Sequence, residues 1–268
     1  MTVLRPACLA ALVFLAASTF ALAAPCPHAG ALGTSRVLTV NPQATPRIGL
    51  KSFPDTLPLA DKEVVLTFDD GPMPPLTSRL LDILAAECAR ATFFVVGRNA
   101  KAHPALVRRI AAEGHTVGHH SWSHPNLATM PFNAARDNIE RGIAATEAAL
   151  AGTSMRAAPF FRFPYFASTP ALLQALQSRH VAVFGTDFWA SDWEPMTPEQ
   201  TLRLVTERLA RARRGIVLFH DIQPRTIAMM PAFLRHLRSN GYRLVHIVPA
   251  DGKVAWHRPE PALPARHD

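Results

Sequence analysis

Between residues 61 and 248, short apolar runs alternate with longer segments of helical periodicity, and this alternation limits the fold more than any other feature. Val64 to Phe68, Ala91 to Val96, His115 to Gly118, Pro159 to Phe163, Val181 to Phe184, Ile216 to Phe219 and Tyr242 to Ile247 read as strands. Helices are expected over 77–89, 104–113, 133–150, 170–179, 198–213 and 227–239. Gly114, Gly152 and Gly241 mark three helix ends, and Thr197-Pro198 marks one beginning, with Thr197 as N-cap. A strand that is apolar along its whole length is buried on both faces, which calls for a parallel sheet covered by helices. About seven such strands make an α/β fold. Closed, it is a (β/α) barrel; open, it is a doubly wound sheet. Either form puts its functional site at the C-terminal ends of the strands.

No repeat and no linker interrupts 61–248, so that span reads as one domain. Residues 1–23 read as a secretory signal, with Arg5 before an apolar run from Ala7 to Leu22 and Ala21-Leu22-Ala23 at the cleavage site. The run is short for a bilayer span of about 20 residues. No other stretch is apolar enough, so no integral membrane span is expected after signal cleavage. Ordinary Sec export would deliver the chain to the periplasm or outside the cell. Residues 24–60 are rich in proline and read as an irregular N-terminal segment, with one strand at Arg36 to Val40. Residues 249–268 read as a mobile C-terminal tail.

The formal charge of +8 would suit anionic envelope polymers. Nucleic acid is not expected as a partner, because the basic residues are scattered. Their one cluster, Arg211-Arg213-Arg214, reads as a solvated helix end. Cys26 and Cys88 could pair in an oxidising compartment. The apolar helical setting of Cys88 favours the other reading, a buried small hydrophobe. The oligomeric state leaves no mark on the sequence.

The polar residues fall at the strand ends. Asp69 and Asp70 end the first strand before Gly71-Pro72, and paired carboxylates are costly to bury without a task. His120 and His124 follow the third strand four residues apart, a spacing that puts two imidazoles on one side of a helical turn. His119 is a neighbour without that spacing. With a carboxylate from an adjacent strand end, the pair completes an Asp-His-His set, enough for a divalent ion with open positions. Arg162, in an apolar stretch at the end of the fourth strand, needs a buried partner, and Asp69 is the natural one. Asp187, Asp192 and Trp193 follow the fifth strand, and His220 ends the sixth. Each residue alone has an ordinary structural explanation. Five polar clusters at the same end of five strands do not.

These residues resemble the polysaccharide deacetylases of the NodB-homology family, carbohydrate esterase family four. The resemblance rests on five motifs in order: Thr67-Phe68-Asp69-Asp70-Gly71-Pro72, His120-Ser121-Trp122-Ser123-His124, Arg162-Phe163-Pro164-Tyr165, Asp192-Trp193 and Leu218-Phe219-His220. It implies a distorted (β/α) barrel as the catalytic domain over 61–248, acting on an N-acetylated glycan such as peptidoglycan, chitin oligomers or an exopolysaccharide. It implies Asp69 as general base and Asp70, His120 and His124 as ligands of a divalent ion. Zn2+ is the first choice of ion, with Co2+, Ni2+ and Mn2+ also accepted by such a set. Arg162 would hold Asp69, and Tyr165 would offer a backbone N–H to the oxyanion. Asp192 would tune His220, the general acid, while Trp193 and Leu218 would line an acetyl pocket. The fourth motif is stretched, so both Asp187 and Asp192 stand as partners for His220. Two alternatives remain: an amidohydrolase acting on a non-sugar amide or cyclic imide, and a non-catalytic glycan-binding barrel.

Overall fold

The computed structural model of the protein describes Cys26 and residues 28–250. The expected signal segment, 1–23, and tail residues 251–268 lie outside them. The strands are β1 (Thr34–Val40), β2 (Arg47–Ile48), β3 (Glu63–Asp69), β4 (Thr92–Val95), β5 (Thr116–His119), β6 (Phe160–Phe161), β7 (Ala182–Phe184), β8 (Phe188–Trp189), β9 (Gly215–His220) and β10 (Arg243–Pro249). Every pairing among them is parallel. The central path runs β9-β3-β4-β5-β6-β7. The chain leaving β7 then passes through residues 185–187 into β8, which pairs with β9. The two ends of the path are thus joined and the sheet closes as a distorted (β/α) barrel.

Seven of these strands match the apolar runs of the sequence. β1 covers the strand expected at 36–40 and runs beside β10. β2 and β8 have two residues each, too few to show any period. The helices are α1 (Leu76–Ala86), α2 (Gly97–Ala102), α3 (Pro104–Ala112), α4 (Phe132–Leu150), α5 (Pro170–Gln177), α6 (Pro198–Ala212) and α7 (Pro224–Ser239). The clearest start is that of α6. Thr197 Oγ1 accepts the Gln200 N–H while the Gln200 side chain accepts the Thr197 N–H, a capping box.

Strand pleating sorts side chains to two faces. Val64, Leu66 and Phe68 of β3 pack outward in one apolar cluster with α1, α3, α6 and α7. Val65 of β3, Phe94 of β4, Phe160 of β6, Phe184 of β7 and Ile216 of β9 fill a second cluster inside the barrel. A third, with Phe161 and Val183, lies beneath α4 and α5. The same alternation sends Thr67 and Asp69 inward after Val65, Arg162 inward after Phe160, and Leu218 and His220 inward after Ile216.

One expectation fails here. Cys88 is not an isolated buried thiol; it is disulfide-bonded to Cys26, with Cα atoms 5.7 Å apart. The helix expected to run to residue 89 ends at Ala86. Cys88 therefore sits in the following turn with φ 48°, half-buried. The Gly33 N–H on Glu87 O and the Thr34 hydroxyl on Cys88 O bring the N-terminal segment alongside that turn.

Candidate active site

Asp69 and His220 are register partners at the C-terminal ends of β3 and β9. Arg162 lies beneath them, fully buried, and almost every donor of its guanidinium has an acceptor. Nη1 reaches Asp69 Oδ1 and Thr67 Oγ1, both at 2.8 Å, Nη2 reaches Gly185 O at 2.8 Å, and Nε points at Phe184 O at 3.4 Å. The guanidinium also lies 4.3 Å from the centre of the Phe94 ring. A buried charge on this scale survives only with such a full set of partners.

Asp70 turns away from β3 with φ 79°, a conformation Asp tolerates better than most residues. Its Oδ1 lies 3.4 Å from His120 Nε2 and 3.2 Å from His124 Nε2. One ligand atom from each of Asp70, His120 and His124 falls within 4.8 Å of the others. His120 Nδ1 donates to Arg162 O at 2.7 Å, which fixes the tautomer and leaves Nε2 aimed at Asp70. This donor set, with one ring already oriented from behind, fits a divalent cation. Burial pushes the Asp70 carboxyl upward, yet the hydrogen bond and charge of His120, with His220 and His124, hold it well below the usual carboxylate range. Burial, with His120 beside it, lowers the His124 imidazole.

The histidine pair converges for a different reason from the one its spacing suggests. Residues 120–124 are not a helical turn but a loop, with Ser121 at φ 64° and His124 at φ 60°. Its shape is set by contacts. The Gly97 and Arg98 N–H groups of α2 bond Ser121 O and Trp122 O, and the Trp122 N–H bonds both Oδ1 and the backbone O of Asn138 on α4. Ser121 Oγ accepts the His124 N–H at 3.0 Å. The loop rests on Gly142, where any Cβ would run into the Ser121 backbone. His119 is outside the ligand set; it is buried, and burial brings its pKa down to about 3.

His220 Nδ1 bonds Asp192 Oδ1 at 2.8 Å, and Asp192 Oδ2 accepts both the His220 N–H at 2.7 Å and the Thr226 hydroxyl at 2.5 Å. Burial works against an imidazolium here, but the Asp192 hydrogen bond and the charges of Asp192, Asp70 and Asp69 raise its pKa to about 9. His220 Nε2 lies 3.9 Å from Asp70 Oδ2. Asp187 has other work. Its Oδ1 accepts the Leu50 N–H, and its Oδ2 accepts the Thr56 hydroxyl and the Ile216 N–H. It pins the N-terminal segment to β9, and of the two carboxylates only Asp192 touches His220.

Tyr165, Trp193 and Leu218 border a cavity of about 420 Å3 with Asp69, Asp70, His120, His124 and His220. Tyr165 is 66% exposed, stands edge-on to His124 and has a φ of 57°. Trp193 meets the His220 ring edge-on at 5.5 Å. Phe163, Phe166 and Trp189 complete the wall; Phe163 stands in the third motif, but none of the three had a role assigned from the sequence. Nor was Asp221, whose carboxyl accepts the Thr77 hydroxyl at 2.5 Å. It fills the space a Cβ at position 71 would need. Burial, aided by the Asp70 charge, raises its pKa to about 7. Its position next to His220 was the signal that could have found it.

The comparisons point one way. The polysaccharide deacetylase profile matches residues 57–184. A chitooligosaccharide deacetylase of Rhizobium leguminosarum bv. trifolii is 34% identical over 199 residues, covering 69% of this chain and 89% of that enzyme. A peptidoglycan-N-acetylglucosamine deacetylase of Listeria monocytogenes is 34% identical over 189 residues, 70% of this chain but 38% of that protein. The structure of a Bdellovibrio bacteriovorus peptidoglycan deacetylase superposes with a TM-score of 0.75 at 32% identity, covering 89% of this chain and 66% of that one.

Proposed function

This chain belongs to the polysaccharide deacetylase family, and from that premise we propose that it hydrolyses the N-acetyl groups of N-acetylglucosamine-containing glycans at the Asp69–His220 cavity. One observation carries the assignment of roles. A candidate base, Asp69, and a candidate acid, His220, flank the same Asp-His-His set, with Asp69 Oδ2 3.8 Å from His120 Nε2 and His220 Nε2 3.9 Å from Asp70 Oδ2.

A divalent cation held by Asp70, His120 and His124, with zinc as the first choice, would polarise the acetamide carbonyl and acidify a water. Asp69 takes the proton of the attacking water. Arg162 occupies Asp69 Oδ1 and so leaves Oδ2 for that transfer. The Tyr165 backbone N–H offers a hydrogen bond to the oxygen that gains charge as the carbonyl carbon becomes tetrahedral. His220, protonated at neutral pH, gives its Nε2 proton to the departing amine as the C–N bond breaks. The products are acetate and the free amino sugar. Asp192 holds His220 by Nδ1 and keeps the proton available. Leu218 and Trp193 form the apolar wall against which the acetyl methyl rests.

Export by the 1–23 signal places the enzyme with such glycans, in the periplasm or outside the cell. No helix among the described residues is long and apolar enough to cross a membrane. The test is acetate release by the mature protein from chitin oligomers and from peptidoglycan. Release that a chelator abolishes and added zinc restores is the expected result. No release from either glycan by protein that holds its metal would overturn the proposal.

A further inference from the structure

A second cleft, of about 440 Å3, opens beside the catalytic cavity and shares one wall with it. It is lined by Lys51, Arg208 and Arg211 with Asp187, Phe188 and Trp189, and Trp189 also borders the catalytic cavity. Trp189 lies 6.1 Å from Trp193, which in turn meets His220 at 5.5 Å, both measured between ring centres. Trp189 thus joins the linings of the two cavities.

Its charge is unbalanced. None of Lys51, Arg208 and Arg211 is in an ion pair with a carboxylate among the described residues. The one acid in the lining, Asp187, offsets only one of the three charges, and both its oxygens already accept from Leu50, Thr56 and Ile216 donors. Arg208 is held from behind, with Nη1 on Trp189 O at 2.7 Å and Ser191 Oγ at 2.8 Å. Burial and the nearby charge of Arg211 both bear against its own charge, as expected where like charges meet without a counterion. Lys51 Nζ lies 5.0 Å from the centre of the Trp189 ring, and Arg211 is exposed. The other basic residues at this helix end are occupied: Arg213 pairs with Asp61, and Arg214 donates to Leu59 O.

Resting on the function proposed above, we propose that this cleft is an anion-binding subsite that takes a carboxylate substituent on the glycan strand, with Lys51, Arg208 and Arg211 as its cations and Trp189 as the wall that joins it to the catalytic cavity. A neutral N-acetylglucosamine polymer offers these cations hydrogen-bond acceptors but no counter-charge. A strand in which a neighbouring sugar bears a carboxylate neutralises them. The enzyme then prefers acidic glycans over neutral ones of the same length, and the preference lies in KM.

The test uses two tetrasaccharides of alternating N-acetylglucosamine and N-acetylmuramic acid, one with free lactyl carboxylates and one with those groups converted to carboxamides. The ratio of kcat/KM for acetate release, free acid over amide, is measured for the mature wild-type protein, for the Lys51→Ala/Arg211→Ala double variant and for Arg211→Lys. Arg208 is left in place because its removal would also free Trp189. Exposed charge pairs are worth up to about fivefold each. The wild-type ratio is therefore expected at about fivefold or more, falling as salt is raised. It should fall most of the way toward one in the double variant, where Arg208 is the one cation of the three that remains, and be largely kept in Arg211→Lys. A wild-type ratio near one overturns the subsite, as does a preference that survives both the double substitution and high salt. If neither compound releases acetate, the proposed function fails on these substrates, and the subsite is judged by binding alone. Tighter quenching of tryptophan fluorescence by the free acid than by the amide upholds it, and equal quenching ends it.

Discussion

Asp192 illustrates how much of the proposed chemistry rests on single atoms. One buried carboxylate bonds the His220 ring, the His220 backbone and the Thr226 hydroxyl. A general acid works only while protonated, so its rate contribution holds below its pKa and falls as pH rises through it. Asp192→Asn removes the charge that raises His220. The alkaline limb of the kcat/KM profile is therefore expected to move to lower pH, by about 1–3 units. An unmoved limb would dissociate His220 from that limb. Leu218→Ala should widen the methyl pocket and raise KM more than it lowers kcat, measured on an N-acetylglucosamine oligomer. The chemistry-bearing residues were legible because titratable groups at the ends of apolar strands stand out against their surroundings. Asp221 and Thr226 were not. Each is a lone polar residue whose partner, Thr77 or Asp192, is brought to it only by the closed barrel.

Among the elements, α2 and α4 shape the His120–His124 loop, and glycine governs their approach. A Cβ on Gly97 would lie 2.7 Å from the Gly142 Cα, and one on Gly142 would collide with Ser121. Gly142→Ala therefore forces the loop and the helices apart. The expected cost is about 1–3 kcal/mol of stability, with weaker zinc binding, read from denaturant unfolding and from metal titration. Full retention of both would show that the loop is not braced there. Six helices were legible because eight or more residues display a period, and seven strands because each lies in an apolar run. β2, β8 and the six-residue α2 show none. The four-residue spacing of the histidines identified the pair but suggested a helical turn. The positive φ angles at Ser121 and His124 depend on contacts to α2 and α4 that are remote in sequence.

At the scale of the molecule, the Cys26–Cys88 disulfide ties the N-terminal segment to the turn after α1 across 62 residues. Its removal by Cys88→Ser is expected to cost about 2–4 kcal/mol in denaturant unfolding, a loss that reductant should reproduce in the wild type. The sequence allowed this pairing but favoured a buried thiol, because residue 88 looked helical; the early end of α1 places it in a turn instead. The barrel also has an acid-sensitive side. Burial brings His115 down to about 3 and His246 down to about 4, with Arg90 adding repulsion at both. Unfolded, each takes a proton near its ordinary pKa of 6.5. The stability they allow is thus present above 6.5 and lost as pH falls toward 4 and 3. Thermal unfolding across that range should show a falling midpoint, less steep in His246→Gln. The proposed chemistry turns on Asp69 as the base beside an ion-holding set. The direct measurement is acetate release from an N-acetylglucosamine oligomer by wild type and Asp69→Asn at equal, measured zinc content. A fall of about 10²–10⁴ with metal retained is expected, whereas an Asp69→Asn protein that holds its zinc and works at the wild-type rate would contradict the role of Asp69 as base.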